Sequence, residues 1–127
     1  KSKGLGAPRI VAALLLLSPA GLAMAGVFDL ATSVAMHNVA ALLVFATPVF
    51  SFAAAGTYFR RIPGWRRFGS FLVAGSPLTL LLTILFVMTF RLTAVTEGRG
   101  VAGLTERILM TEIHCWYVAI GWLGFRD

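Results

Sequence analysis

The chain has 127 residues, of which 58% are hydrophobic and 13% charged, and its mean hydropathy is +0.87. Ordinary soluble domains carry about 25% charge, so a soluble globular fold is excluded. The net charge of +6 arises from 11 Lys and Arg against 5 Asp and Glu. These basic residues gather at the ends of apolar runs and are not interleaved with aromatics on a polar face, which sets a nucleic-acid partner aside.

Four apolar segments follow one another, each of the roughly 20 residues that a helix rising about 1.5 Å per residue needs to cross about 30 Å of hydrocarbon. The first expected helix covers 10–28, behind Lys1, Lys3 and Arg9. The same stretch imitates a secretory signal peptide, with an apolar core from Ile10 to Leu17 and the cleavage-like triplet Ala23-Met24-Ala25, but three more spans follow it and it is read as retained. Because the first residue is Lys1 and not Met, a processed product or part of a longer chain is expected. The second helix covers 34–59, with Thr32 or Ser33 as N-cap after a turn containing Asp29. It ends in Arg60-Arg61-Ile62-Pro63-Gly64-Trp65-Arg66-Arg67, too charged for lipid and carrying a Pro-Gly turn signal. The third helix covers 68–90 and stops at Arg91. A polar loop from Thr93 to Gly103 follows, bent by Gly98, Gly100 and Gly103, before the fourth helix over 104–125 and the closing Arg126-Asp127.

The expected fold is therefore all-α, a polytopic membrane protein forming one transmembrane domain over 1–127, an up-down bundle of four helices in which Ala53 to Gly56 permit close approach. Lys1, Lys3, Arg9, Arg60, Arg61, Arg66, Arg67 and Arg126 fall on one side, and Arg91, Arg99 and Arg107 on the other. The positive-inside rule then makes both termini cytoplasmic.

Ser18-Pro19, Thr47-Pro48 and Ser76-Pro77 recur every 29 residues, one pair in each of the first three helices. At about 1.5 Å per residue all three kinks would lie near mid-membrane, each freeing the carbonyl four residues earlier, at Leu15, Val44 and Val73. The pattern fits either the ordinary frequency of Pro in membrane helices or a ring of freed carbonyls lining a midplane site.

Ionisable residues at membrane depth are costly and are functional suspects by default, and His37, Glu112 and His114 qualify. On the fourth helix Glu106, Arg107, Met110, His114, Tyr117 and Gly121 fall within about 100° of one another, a polar stripe expected to face the bundle. Glu112 and Trp116 point roughly the other way, so Glu112 should meet another protein surface or a lipid-water defect, or be protonated by desolvation. Asp29, His37, Glu106, Arg107 and His114 could form one polar cluster in the outer half of the bundle, either as a register-fixing network or as a site. A haem held by His37 and His114 is opposed by their depths, which differ by roughly 9 to 10 Å. A zinc site needs three or four matched ligands, and neither HExxH nor CxxC occurs, so no metal or cofactor is expected. The single Cys115 cannot form an intrachain disulfide.

Three short motifs, Ala25-Gly26-Val27-Phe28-Asp29, Met36-His37-Asn38-Val39-Ala40-Ala41 and Gly103-Leu104-Thr105-Glu106-Arg107, together with the basic loop from Phe59 to Arg67, resemble the C-terminal half of the bacterial membrane family called domain of unknown function 998. The family's acid, histidine and last-helix arginine map onto Asp29, His37 and Arg107, while the proline-containing turn usual around the acid is absent here. The resemblance implies a membrane helical fold in the bacterial inner membrane and, because relatives usually carry further helices upstream, a truncated or divergent member. It brings no activity with it. The expected function is a non-enzymatic accessory or structural subunit that meets other membrane chains or a copy of itself within the bilayer. The rival is a transporter or lipid-modifying enzyme using the outer polar cluster.

Overall fold

The computed structural model describes residues 6–91, 94–95 and 97–126. Lys1 and Lys3, counted on the cytoplasmic side, Thr93 at the start of the polar loop and the closing Asp127 lie outside them. The fold is all-α. Helix α1 runs over Gly6–Val27, α2 over Val34–Phe45, α3 over Thr47–Phe59, α4 over Arg66–Thr89 and α5 over Ala102–Arg126. With α2 and α3 taken as one continuous run, four spans are long and apolar enough to cross a membrane. The chain divides into two compact units, one ending at Pro77 and the other beginning at Leu78.

In the first unit the chain leaves α1 at Val27 and turns through Asp29 to Ser33, whose hydroxyl accepts from the Met36 amide at 3.3 Å and caps α2. The second expected helix is interrupted at Ala46. Pro48 has no amide to give to Val44 and its ring crowds that carbonyl, so Val44 O needs another donor. The Ala46 amide takes Leu42 O at 2.9 Å, the Thr47 hydroxyl takes Leu43 O, and Ser18 on α1 donates to Val44 O at 2.9 Å. By contrast α1 and α4 stay helical through Pro19 and Pro77. Ser76, beside Pro77, donates to Val49 O at 2.6 Å, just past the break. The three Ser/Thr-Pro pairs thus converge on one level, but their hydroxyls close backbone bonds.

Packing in this unit depends on glycine. A Cβ on Gly21 would lie 2.6 Å from Leu43 Cβ, and one on Gly56 would lie 2.7 Å from Gly69 O. Around these contacts Phe52 and Leu72 are fully buried, with Val44, Phe45 and Phe59 nearly so. In lipid there is no hydrophobic gain from leaving water for a neighbouring helix, so such close fitting, through dispersion, supplies the cohesion.

In the second unit Thr89 on α4 bonds Thr105 on α5 at 2.7 Å, and Thr79, earlier on α4, bonds Glu112, later on α5, at 2.8 Å. The two segments are therefore antiparallel. Between them Gly98 and Gly100 adopt φ of +67° and +90°, and Arg99 pairs with Glu97. Both side chains of that pair are exposed, so it contributes at most about 1 kcal/mol.

Candidate functional site

Glu112 is the polar centre of the second unit. One turn of α5 separates it from Trp116, whose Nε1 donates to Glu112 Oε1 at 2.6 Å. From α4, Thr79 directs its hydroxyl at both carboxylate oxygens, at 2.8 and 3.0 Å. Thr79 is fully buried, and its own carbonyl accepts from the Thr83 hydroxyl at 2.8 Å. An intramembrane carboxylate is costly unless donors surround it. Here a hydroxyl and an indole do so, leaving a half-buried group that ties α4 to α5.

The buried positions of α5 are Ala102, Thr105, Leu109 and Ile113. Glu106, Arg107, His114 and Gly121 are exposed, with Met110 and Tyr117 intermediate. The stripe expected to face inward is therefore the open side of this helix, and Glu112, expected to point away, is on the bonded side. The reason is that a helical wheel fixes angles between side chains but not which side packs, and in lipid small and hydroxyl-bearing residues such as Ala102 and Thr105 mark the packed side. His114 does not reach across to another helix for its ring bond: Nδ1 lies 2.6 Å from Met110 O in the turn before it.

Asp29 and His37 belong to the first unit and sit at one corner. Asp29 Oδ1 accepts from the Thr32 amide at 2.6 Å and from its hydroxyl at 2.7 Å. The Thr32 hydroxyl foremost, then the Thr32 and Ala31 amides and nearby His37, hold this exposed carboxyl below its ordinary value of 3.8. His37 Nδ1 lies 2.9 Å from Phe28 O. A carbonyl only accepts, so Nδ1 is the donor in this bond. The loop lacking the usual proline is thus pinned at both ends by side chains. Glu106, Arg107 and His114 belong to the second unit. Among the described residues the one ion pair is Arg99 with Glu97, and no three His, Cys, Asp or Glu side chains converge on a common point.

Sequence reasoning missed Thr79 and the Ser18 and Ser76 bridges. The Glu112–Trp116 spacing was a local signal for part of the site, whereas the partner 33 residues earlier had none.

The chain belongs to the family described as Protein of unknown function (DUF998), which it matches over residues 1–123. The match covers essentially the whole chain, so its narrower placement in the family's C-terminal half does not hold; short motifs in apolar sequence do not fix such a register. No curated protein and no solved structure matches it.

Proposed function

We propose that this membrane protein is a non-enzymatic accessory or structural subunit of a larger assembly in the bacterial inner membrane, with both termini cytoplasmic, and that α5 is the helix presented to its neighbour. One observation carries this reading. Even over its most apolar 18 residues α5 is the least hydrophobic of the four spans, and yet it is also the least buried of them. A helix left in lipid should be the most apolar of a set, because each charged residue at mid-bilayer costs about 2.5 to 3.5 kcal/mol. A polar helix with an open face is better matched to another protein surface. Beside its polar stripe, and sharing Met110 and His114 with it, α5 carries a shallow and mainly apolar groove of about 560 Å³ lined by Cys115, Val118 and Trp122 among others.

Cys115 is exposed and is the chain's single cysteine, so a thiol crosslinker reports on this face alone. Crosslinking in native membranes should give one discrete adduct, either with a partner chain or with a second copy. Efficient quenching of Trp122 by brominated lipid, with no adduct from Cys115, would instead place the face in the bilayer and overturn the proposal. The rival reading, a transporter or lipid-modifying enzyme, is favoured by Glu112, and would be supported by loss of a measurable flux or modification in a folded Glu112→Gln protein.

A further inference from the structure

We infer that the basic turn between α3 and α4, with the adjoining face of α4, is a binding site for an anionic phospholipid. Arg60, Arg61, Arg66 and Arg67 are all exposed, and among the described residues none of them makes an ion pair. The sequence holds no acid from Leu30 to Thr96 that could neutralise them. Two of the four open α4, where the first turn contains no acidic residue and the helix dipole adds to their positive potential. So concentrated a charge needs an anion, and guanidinium forks match phosphate oxygens bidentately.

The turn is built, not slack. Trp65 packs on Phe59 at a tilt of 49° with ring centroids 4.9 Å apart and meets Phe68 edge-on at 6.2 Å. The amides of Arg61, Ile62 and Trp65 each bond a carbonyl three residues back, and Gly64 makes the reversal at φ +86°. Below it, a Cβ on Gly69 would lie 2.7 Å from the Arg60 amide, so α3 and α4 touch backbone to backbone at the level of the arginines. From this turn a groove of about 460 Å³ runs along α4, lined by Arg66, Arg67, Ser70, Phe71 and Ala74. Its order is cationic, then hydroxyl, then apolar, with Phe71 66% exposed. That is the order of a phospholipid, from headgroup phosphate through the glycerol region to an acyl chain. The charge complementarity commits the site to an anionic lipid, and the apolar end separates it from a site for free phosphate.

The full chain in neutral detergent is titrated with phosphatidylglycerol and with phosphatidylcholine of the same acyl chains, bound lipid being counted by native mass spectrometry. Phosphatidylglycerol should bind at least about tenfold tighter. Arg66→Gln with Arg67→Gln should weaken it about 25-fold, at about fivefold for each arginine removed near an anionic headgroup. Arg9→Gln with Arg126→Gln should change it less than about twofold, since those residues lie outside the groove. Phe71→Ser should weaken the lipid while leaving displacement by inorganic phosphate unchanged. Equal affinity for the two lipids, an equal loss from the Arg9 and Arg126 pair, or a Phe71→Ser protein that binds as the wild type does would each overturn the assignment, the last by pointing to free phosphate.

Discussion

The unit that ends at Pro77 and the unit that begins at Leu78 are braced by different chemistry. Between the helices of the first, hydroxyls serve the backbone: Ser18 donates to Val44 O and Ser76 to Val49 O, next to glycines that bring helix backbones into contact. Between the helices of the second, side chain bonds side chain, with Thr79 on Glu112 and Thr89 on Thr105. In the first unit Ser18 thereby answers the carbonyl that Pro48 leaves without an amide, and the glycine contacts admit almost no change of shape. The bonds of the second tie α4 to α5 through side chains at two levels.

The sharpest way to break this contrast is to force the glycine contact apart. Gly56→Val would set a side chain within 2.7 Å of Gly69 O and of a Val73 methyl, and the helices would have to separate. A loss of about 3 kcal/mol or more is expected in equilibrium unfolding from mixed micelles, the upper end of the range for overpacking. Gly121→Ala on α5, with nothing within 4 Å, should instead be neutral or stabilising by up to about 1 kcal/mol. Equal tolerance at the two positions would erase the distinction between the units.

A smaller effect is expected at the interrupted span. Ser18→Ala leaves the buried Val44 carbonyl without its donor and should cost about 1 to 2 kcal/mol. Pro48→Ala returns an amide to that carbonyl, so in the double variant the Ser18 loss should shrink by about 1 kcal/mol. Strict additivity in the cycle would mean that the hydroxyl is not answering the proline. In the second unit, Thr79→Val removes one donor from a carboxylate that keeps Trp116, and about 0.6 kcal/mol is expected, the usual worth of a hydrogen bond between membrane helices.

These contacts also mark where the sequence could be read. The spans were legible because about 20 apolar residues in a row have few other uses, and Ser33 was recognisable as a cap from its place before α2. The break at Ala46 was half legible: Pro48 announced it, but whether a helix bends or stops depends on which donors reach the freed carbonyl, and Ser18 lies 26 residues away. The packed side of α5 was not legible from polarity. In water a polar stripe faces out, while in lipid the expectation inverts, and α5 follows neither rule as a whole, since Glu112 is bonded while Glu106 and Arg107 are open. Asp29 and His37 were singled out as ionisable residues at or near membrane depth and again by resemblance to a family, and their shared role in pinning one turn becomes visible only with Thr32 and Phe28 O in place.

The smallest expected effect distinguishes the two carboxylates that anchor the two units. Asp29 is exposed at a corner, and its Thr32 bonds favour the charged form, so its folded value lies below 3.8. Unfolding releases those bonds and returns the group to its ordinary value. The sign follows: a carboxyl that binds its proton less readily when folded adds stability at pH above 3.8, and that increment is lost as pH falls through the lowered folded value. Asp29→Asn keeps an acceptor oxygen for Thr32 but cannot titrate. The difference in unfolding midpoint between wild type and Asp29→Asn should therefore be constant near neutrality and narrow as pH drops from about 5 to 2. Taking the difference isolates Asp29, and repeating it with His37→Gln should reduce the narrowing slightly, because His37 is the weakest of the causes acting on Asp29. A gap that stays constant to the lowest pH would mean that the Thr32 clamp does not form, and the corner joining α1 to α2 would then be held by Ser33 and by the His37 bond to Phe28 O alone.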